Sequence, residues 1–229
     1  TTISAGTLAV TVNNALGTNA AGTTIASGAT LDFQNVAYST TEALTVNTGT
    51  VATSTGTSTF AGAIALATGT GNVNVGGTQL TLSGVISGSQ GLTKAGSGIV
   101  VLSGTNTYTG TTTISAGILR VAGNAGILDT GAVVLANTDG AIFDLNGTTE
   151  TIGALAGGGG SGGNVTLGSG ALTTGGNGSS TAYSGVISGT GTLAKAGTGT
   201  FTLSGTNTYS GATTISAGTL AVTVNNALG

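Results

Sequence analysis

Asp144 and Glu150 stand six residues apart, and Asp32 and Glu42 ten apart. Paired carboxylates are the equipment of glycoside cleavage, in which one acid protonates the leaving oxygen and the other attacks or activates water. The chain offers them little company. It has 229 residues with 6 Asp and Glu, 3 Lys and Arg, and no His or Cys. The plainer expectation is that these carboxylates face outward and keep a nearly uncharged surface soluble. A calcium site needs three or more converging oxygens, and no Asp-x-Asp loop supplies them. The run "AGGGGSGGN" (156–164) has the glycines of a phosphate loop but neither its Gly-Lys-Ser/Thr ending nor a following helix, so it reads as a corner or bulge. Lys94 and Lys195 have no evident partner. They share a strand parity with Leu92 and Leu193, and the expectation is a strand-end position with the ammonium reaching out to water. Thr-x-Thr pairs at Thr111/Thr113 and Thr198/Thr200 raise ice binding, but that needs such a pair in nearly every coil of one flat face. No catalytic, cofactor or metal site is therefore expected.

Composition narrows the partners. Only 4% of residues are charged and the net charge is −3. Nucleic acid, which demands clustered cations, is excluded as a partner. The chain holds 45 Gly and no Pro, Met or Trp, yet 38% of it is hydrophobic, so it has apolar side chains to bury. No apolar run is long enough for a membrane helix. Four Tyr and four Phe cannot furnish the aromatic girdles of a transmembrane barrel, so no membrane insertion of this segment is expected.

Any such residue must be positioned by what surrounds it, and here the surroundings repeat. "LSGTNTYTG" (102–110) returns as "LSGTNTYSG" (203–211). The likeness extends without a gap from Gly84–Val121 to Gly185–Val222, an offset of 101. Thr1–Gly17 recurs unchanged at Thr213–Gly229, an offset of 212. Within a unit, short runs of Thr, Val, Ile and Leu alternate and are broken by Gly, Asn and Ser about every ten residues, the pattern of short strands. Comparison of the copies assigns faces. Val100/Phe201, Leu102/Leu203, Leu119/Leu220 and Val121/Val222 stay apolar and should face a core. Ile99/Thr200, Val101/Thr202 and Ile118/Thr219 tolerate hydroxyls and should face outward. Ile99, Val101 and Ile118 would then form a small lateral apolar patch.

A parallel β-solenoid explains the repetition, because stacked coils present the same turn at the same corner. An offset of 101 suggests roughly five coils of ~20 residues. In that frame "LSG" ends a strand and "TNTY" turns a corner. Asn106 and Asn207 should bond to the turn backbone, and Tyr108 and Tyr209 should lay their rings over the core.

The stretch "GLTKAGSGIVVLSGTNTYTGTTTISAGILRV" (91–121) resembles the autotransporter-associated β-strand repeat, also called the passenger-associated transport repeat. Residues 191–222 resemble it equally, and 1–10 in part. The resemblance implies an all-β, right-handed parallel β-helix within a bacterial passenger exported to the cell surface. It does not imply an activity. The expectation for the chain is one continuous solenoid over 1–229, with about ten coils per 212-residue unit and modules near 3–113, 114–214 and 215–229. The N-terminal stretch has neither the basic start nor the apolar centre of a signal peptide and reads as the middle of an array. The function expected is a non-enzymatic extracellular fibre, stalk or surface layer whose partners are neighbouring copies, end to end and side by side. The alternative is an adhesin passenger that binds glycan or protein through a lateral face.

Overall fold

The computed structural model describes residues 1–17, 21–123 and 125–229. The described residues form 28 strands and no helix. Every strand-to-strand pairing is parallel. The strands fall on three walls, visited in fixed order, and a coil is one circuit of the three. The second wall is unbroken. Its eleven strands run from Thr7–Val10 to Thr219–Val222, so ten coil steps separate the two identical segments at the ends. A coil therefore averages about 21 residues. Ten steps of ~4.8 Å make a rod about 50 Å long.

The parity read from the repeats holds inside the solenoid. Val100, Leu102, Leu119, Val121, Phe201 and Leu203 are all buried. Val222 is 48% exposed because no coil of this chain covers the last one, whereas its twin Val10, capped by the next coil, is 1% exposed. Aromatic rings pack together in the core, with Phe33 stacked on Phe60 at 5.1 Å and Tyr38 tilted against both.

The outward parity needs one correction. Ile99 and Ile118 are partly exposed, but Val101 is 9% exposed and counts with the buried residues. It lies in register between Thr81 and Arg120, whose long side chain reaches along the wall to Asp144. The partly exposed column is instead Ile99, Ile118 and Ile142, flanked by Gln79 and Asn164.

The repeated phrase does not return to the same corner. Its first copy follows the third-wall strand Ile99–Leu102 and occupies the first-wall slot, where Thr107 N–H donates to Ile86 O at 2.8 Å. Its second copy follows the second-wall strand Thr200–Leu203 and occupies the third-wall slot, where Thr208 N–H donates to Ile187 O at 2.9 Å. The offset of 101 is thus four coils and two walls rather than five coils. The two repeats point in directions one wall apart, while the offset of 212 restores the phase.

Candidate functional site

Each copy of the phrase takes the place of a wall strand and interrupts the ladder there. The first wall is accordingly split into a five-stranded and a four-stranded sheet. Asn106 repairs the gap with its side chain. Its Oδ1 accepts from Ile86 N–H at 2.8 Å, and its Nδ2 donates to Gly126 O at 2.8 Å. Asn207 does the same between Ile187 N–H and Ala227 O, at 2.8 and 2.6 Å. These amides span the coils on either side, twenty residues away in each direction, rather than their own turn as the sequence suggested. Two buried backbone groups that would lack a partner are thereby satisfied. Tyr108 and Tyr209 are buried in the core as expected, and each pairs its hydroxyl with a Thr four residues on, Thr112 and Thr213. Burial pushes the Tyr108 phenol up to about 12 against the lowering effect of its Thr112 hydrogen bond.

The two lysines are wholly buried and do not reach water. Gly96 turns the corner in the left-handed region at φ 74°, and a Cβ there would meet Val75 O at 2.4 Å. This tight corner leaves carbonyls facing inward. Lys94 Nζ gathers three of them, donating to Ala95 O at 2.8 Å, Gly96 O at 2.7 Å and, one coil on, Ala116 O at 2.9 Å. Lys195 repeats the device with Ala196, Gly197 and Ala217. Desolvation lowers the Lys94 ammonium to about 8. The expectation of a snorkelling strand-end lysine fails because three carbonyls solvate the ammonium inside.

The carboxylates also depart from the outward, solubilising role. Asp32, Glu42, Asp144 and Glu150 are all buried. Asp32 accepts from Ser54 N–H and Oγ at 2.8 and 2.6 Å and from Gln34 Nε2 at 2.7 Å. Asp144 pairs with Arg120 Nε at 2.8 Å and accepts from Asn146 N–H at 2.8 Å. Both belong to outward columns of their walls. Glu42 and Glu150 point inward. Glu42 accepts from the Thr23 hydroxyl and from Tyr38 OH. Glu150, in register with core Leu172, accepts Ile127 N–H at 2.7 Å, while its second oxygen has no partner. Desolvation raises its carboxyl to about 7, against backbone hydrogen bonds that lower it. Each pair that looked like glycosidase acids therefore has one member on the outside of a wall and the other inside. They do not converge on a substrate.

Among the described residues no group of three or more Asp, Glu, His or Cys is placed to hold a metal. Asn106, Asn207 and Glu150 meet backbone groups at breaks in a ladder, and the two lysines solvate the carbonyls of tight corners.

Comparison with known proteins matches residues 92–121 and 193–222 to the passenger-associated-transport-repeat family. These spans contain the buried lysine, the corner glycine, the bridging Asn and the core Tyr of each copy. Over 145 residues, 62% of its length, the chain is 41% identical to a protein of Brucella suis biovar 1 (strain 1330) described as "Adhesin BmaC autotransporter". The match covers 4% of that protein. No solved structure matches.

Proposed function

We infer that this chain, which carries two passenger-associated-transport repeats, is a rod-forming stretch of a bacterial autotransporter passenger displayed outside the cell. The observation that carries the reading is the unbroken second wall, eleven parallel strands long. Its function is mechanical and non-enzymatic. A stiff solenoid about 50 Å long holds whatever lies beyond it at a distance from the cell surface. The buried lysines, asparagines and Glu150 support this reading, because they satisfy backbone groups left over at tight corners and ladder breaks. The identical ends occupy the same walls, so a following unit of the same sequence would continue the coil without a change of phase.

The related adhesin favours a second, compatible reading, in which a lateral face of the rod itself makes contacts. Neighbouring copies are the proposed partners, end to end along the axis and side by side through the isoleucine column. Both readings are tested in cells that display a passenger containing this segment. Adding one 212-residue unit is expected to extend the distal end by about 50 Å, measured by electron microscopy of a gold-labelled tip. Reach that does not change with unit number overturns the rod reading. Adhesion lost on removal of the segment, but regained with an unrelated spacer of equal length, assigns it reach alone.

A further inference from the structure

One stretch breaks the coil period. Gly157 pairs with Tyr183, 26 residues on, whereas Ile99 to Ile118 closes a coil in 19. Part of the surplus is a glycine hairpin between Gly157 and Asn164, at the corner where the preceding coil also takes a long link from Leu135 to Ile142; the rest lies between Thr174 and Thr181. Gly159 and Gly162 exchange backbone hydrogen bonds of 2.9 and 3.3 Å in the one antiparallel bridge among the described residues. The tip is tied to the preceding coil, since Ser161 N–H donates to Asn137 Oδ1 at 2.9 Å. A Cβ on Gly162 would meet Thr138 O at 2.0 Å, and one on Gly159 would meet the Asn137 side chain at 2.4 Å. The hairpin thus lies flat on the coil below it, and only glycine permits that approach.

Beside the hairpin the corner opens into a recess of about 710 Å3 that spans four successive coils. Asp139 stands in the first coil, Ser161 and Asn164 in the second, Ser184 in the third, and Ser204 and Thr206 in the fourth. Ser184 and Ser204 pair their hydroxyls at 2.7 Å. Asn164 Oδ1 accepts Val186 N–H at 2.9 Å, which fixes the amide and leaves its nitrogen as a donor. Asp139 is exposed and takes no part in the one ion pair found among the described residues, Arg120–Asp144.

We propose that this recess binds a short glycan that is neutral or carries an amino group. In solenoids, insertions out of the coil period collect on one face and commonly form the binding face. Four hydroxyls, one fixed amide and one free carboxylate suit a ligand with many hydroxyls, each able to donate and accept. The Asp139 charge, on a chain of net charge −3, repels acidic sugars and favours an amino sugar. The molecule contains its own control. Ser83, Ser103 and Thr105 stand in the first repeat where Ser184, Ser204 and Thr206 stand in the second. The neighbouring coil there closes in 22 residues, from Phe60 to Leu82, with no hairpin, and Ser83 Oγ donates to Phe60 O at 3.4 Å instead of to another serine. The proposal goes beyond the rod reading and stands on the hairpin and the polar recess beside it.

The test is amide chemical-shift mapping of the whole 229-residue chain with lactose, glucosamine disaccharide and sialyllactose as probes. Saturable shifts are expected at Gly159–Gly162, Ser184 and Ser204–Thr206 with lactose or the glucosamine disaccharide, and none at Ser83, Ser103 or Thr105. Asp139→Asn, at an exposed position, is expected to weaken the bound sugar about tenfold by removing a charged hydrogen-bond acceptor. Deleting Gly160 and Ser161 is expected to abolish the shifts, while the amide spectrum of the remaining coils shows that the fold persists. No saturable shift with any probe overturns the proposal. So do equal shifts at both sets of residues, a preference for sialyllactose, or binding that Asp139→Asn leaves unchanged.

Discussion

Replacing Asn106 by Ala removes the side chain that joins Ile86 to Gly126 across the break in the first wall. The loss can be worked from two contacts. Ile86 N–H and Gly126 C=O, each 2.8 Å from the Asn106 amide, would be left buried without a partner. An orphaned buried polar group costs about 1–3 kcal/mol, so the pair amounts to roughly 2–6 kcal/mol, a large part of a domain's net stability. Asn106→Asp separates the two contacts. It keeps an acceptor for Ile86 N–H but sets a second oxygen against Gly126 O, and it should be at least as damaging at neutral pH. Thr107→Ala, one residue along at an exposed position, is the control and should cost less than about 0.5 kcal/mol. Urea unfolding followed by circular dichroism gives the totals, and amide exchange at Ile86 gives the local effect. If Asn106→Ala and Thr107→Ala unfold at the same urea concentration and Ile86 exchange is unaltered, the bridging role assigned to Asn106 is wrong.

Leu102→Ala, at a fully buried site, should destabilise by about 2–5 kcal/mol, and Thr202→Ala by little; similar unfolding midpoints for the two would refute the inward and outward assignment. Glu150 has a folded-state carboxyl raised to about 7 from an ordinary 4.5, so folding favours its protonated form. The stability this contributes is complete below about pH 4.5 and is lost as pH rises to about 7, a change on the order of 3 kcal/mol that Glu150→Gln should remove from the pH profile of unfolding. A wild-type profile that runs parallel to that of the Gln variant would contradict the buried carboxyl. Ile99, Ile118 and Ile142 changed together to Thr should abolish any side-by-side association seen by sedimentation; unaltered association would rule out that column as the contact.

Much of the rod was legible because a parallel coil punishes errors of parity. Leu102 and Leu203, or Val100 and Phe201, can vary in size but not in polarity, so two copies suffice to show which side faces in. The phase of the repeat was not legible. Whether 101 residues make five coils or four and two-thirds depends on the mean coil length to within a residue or two, and coils here range from 19 to 26. The buried Lys94 and Glu150 were misread for a related reason. Charged side chains are assigned to the surface by default, but one of the three carbonyls that solvate Lys94, that of Ala116, and the N–H that Glu150 accepts, that of Ile127, lie on neighbouring coils more than twenty residues away in sequence. The glycine run at 156–164 did read as a corner or bulge. What the letters did not show is that it folds back on Asn137 and opens a recess reaching as far as Thr206.

The continuity of the solenoid is the central claim, and a single distance tests it most directly. Thr7 and Thr219 are exposed, hold the same position in identical segments, and stand on the first and last strands of the second wall. The chain has no Cys, so nitroxides can be placed at these two sites alone. Ten coil steps at ~4.8 Å place them about 50 Å apart, less any small bend of the rod. Double electron–electron resonance should give one narrow distribution near that distance. A broad distribution, or a single peak well short of it, would mean that the units are hinged or folded back on one another and that the chain is not a continuous rod.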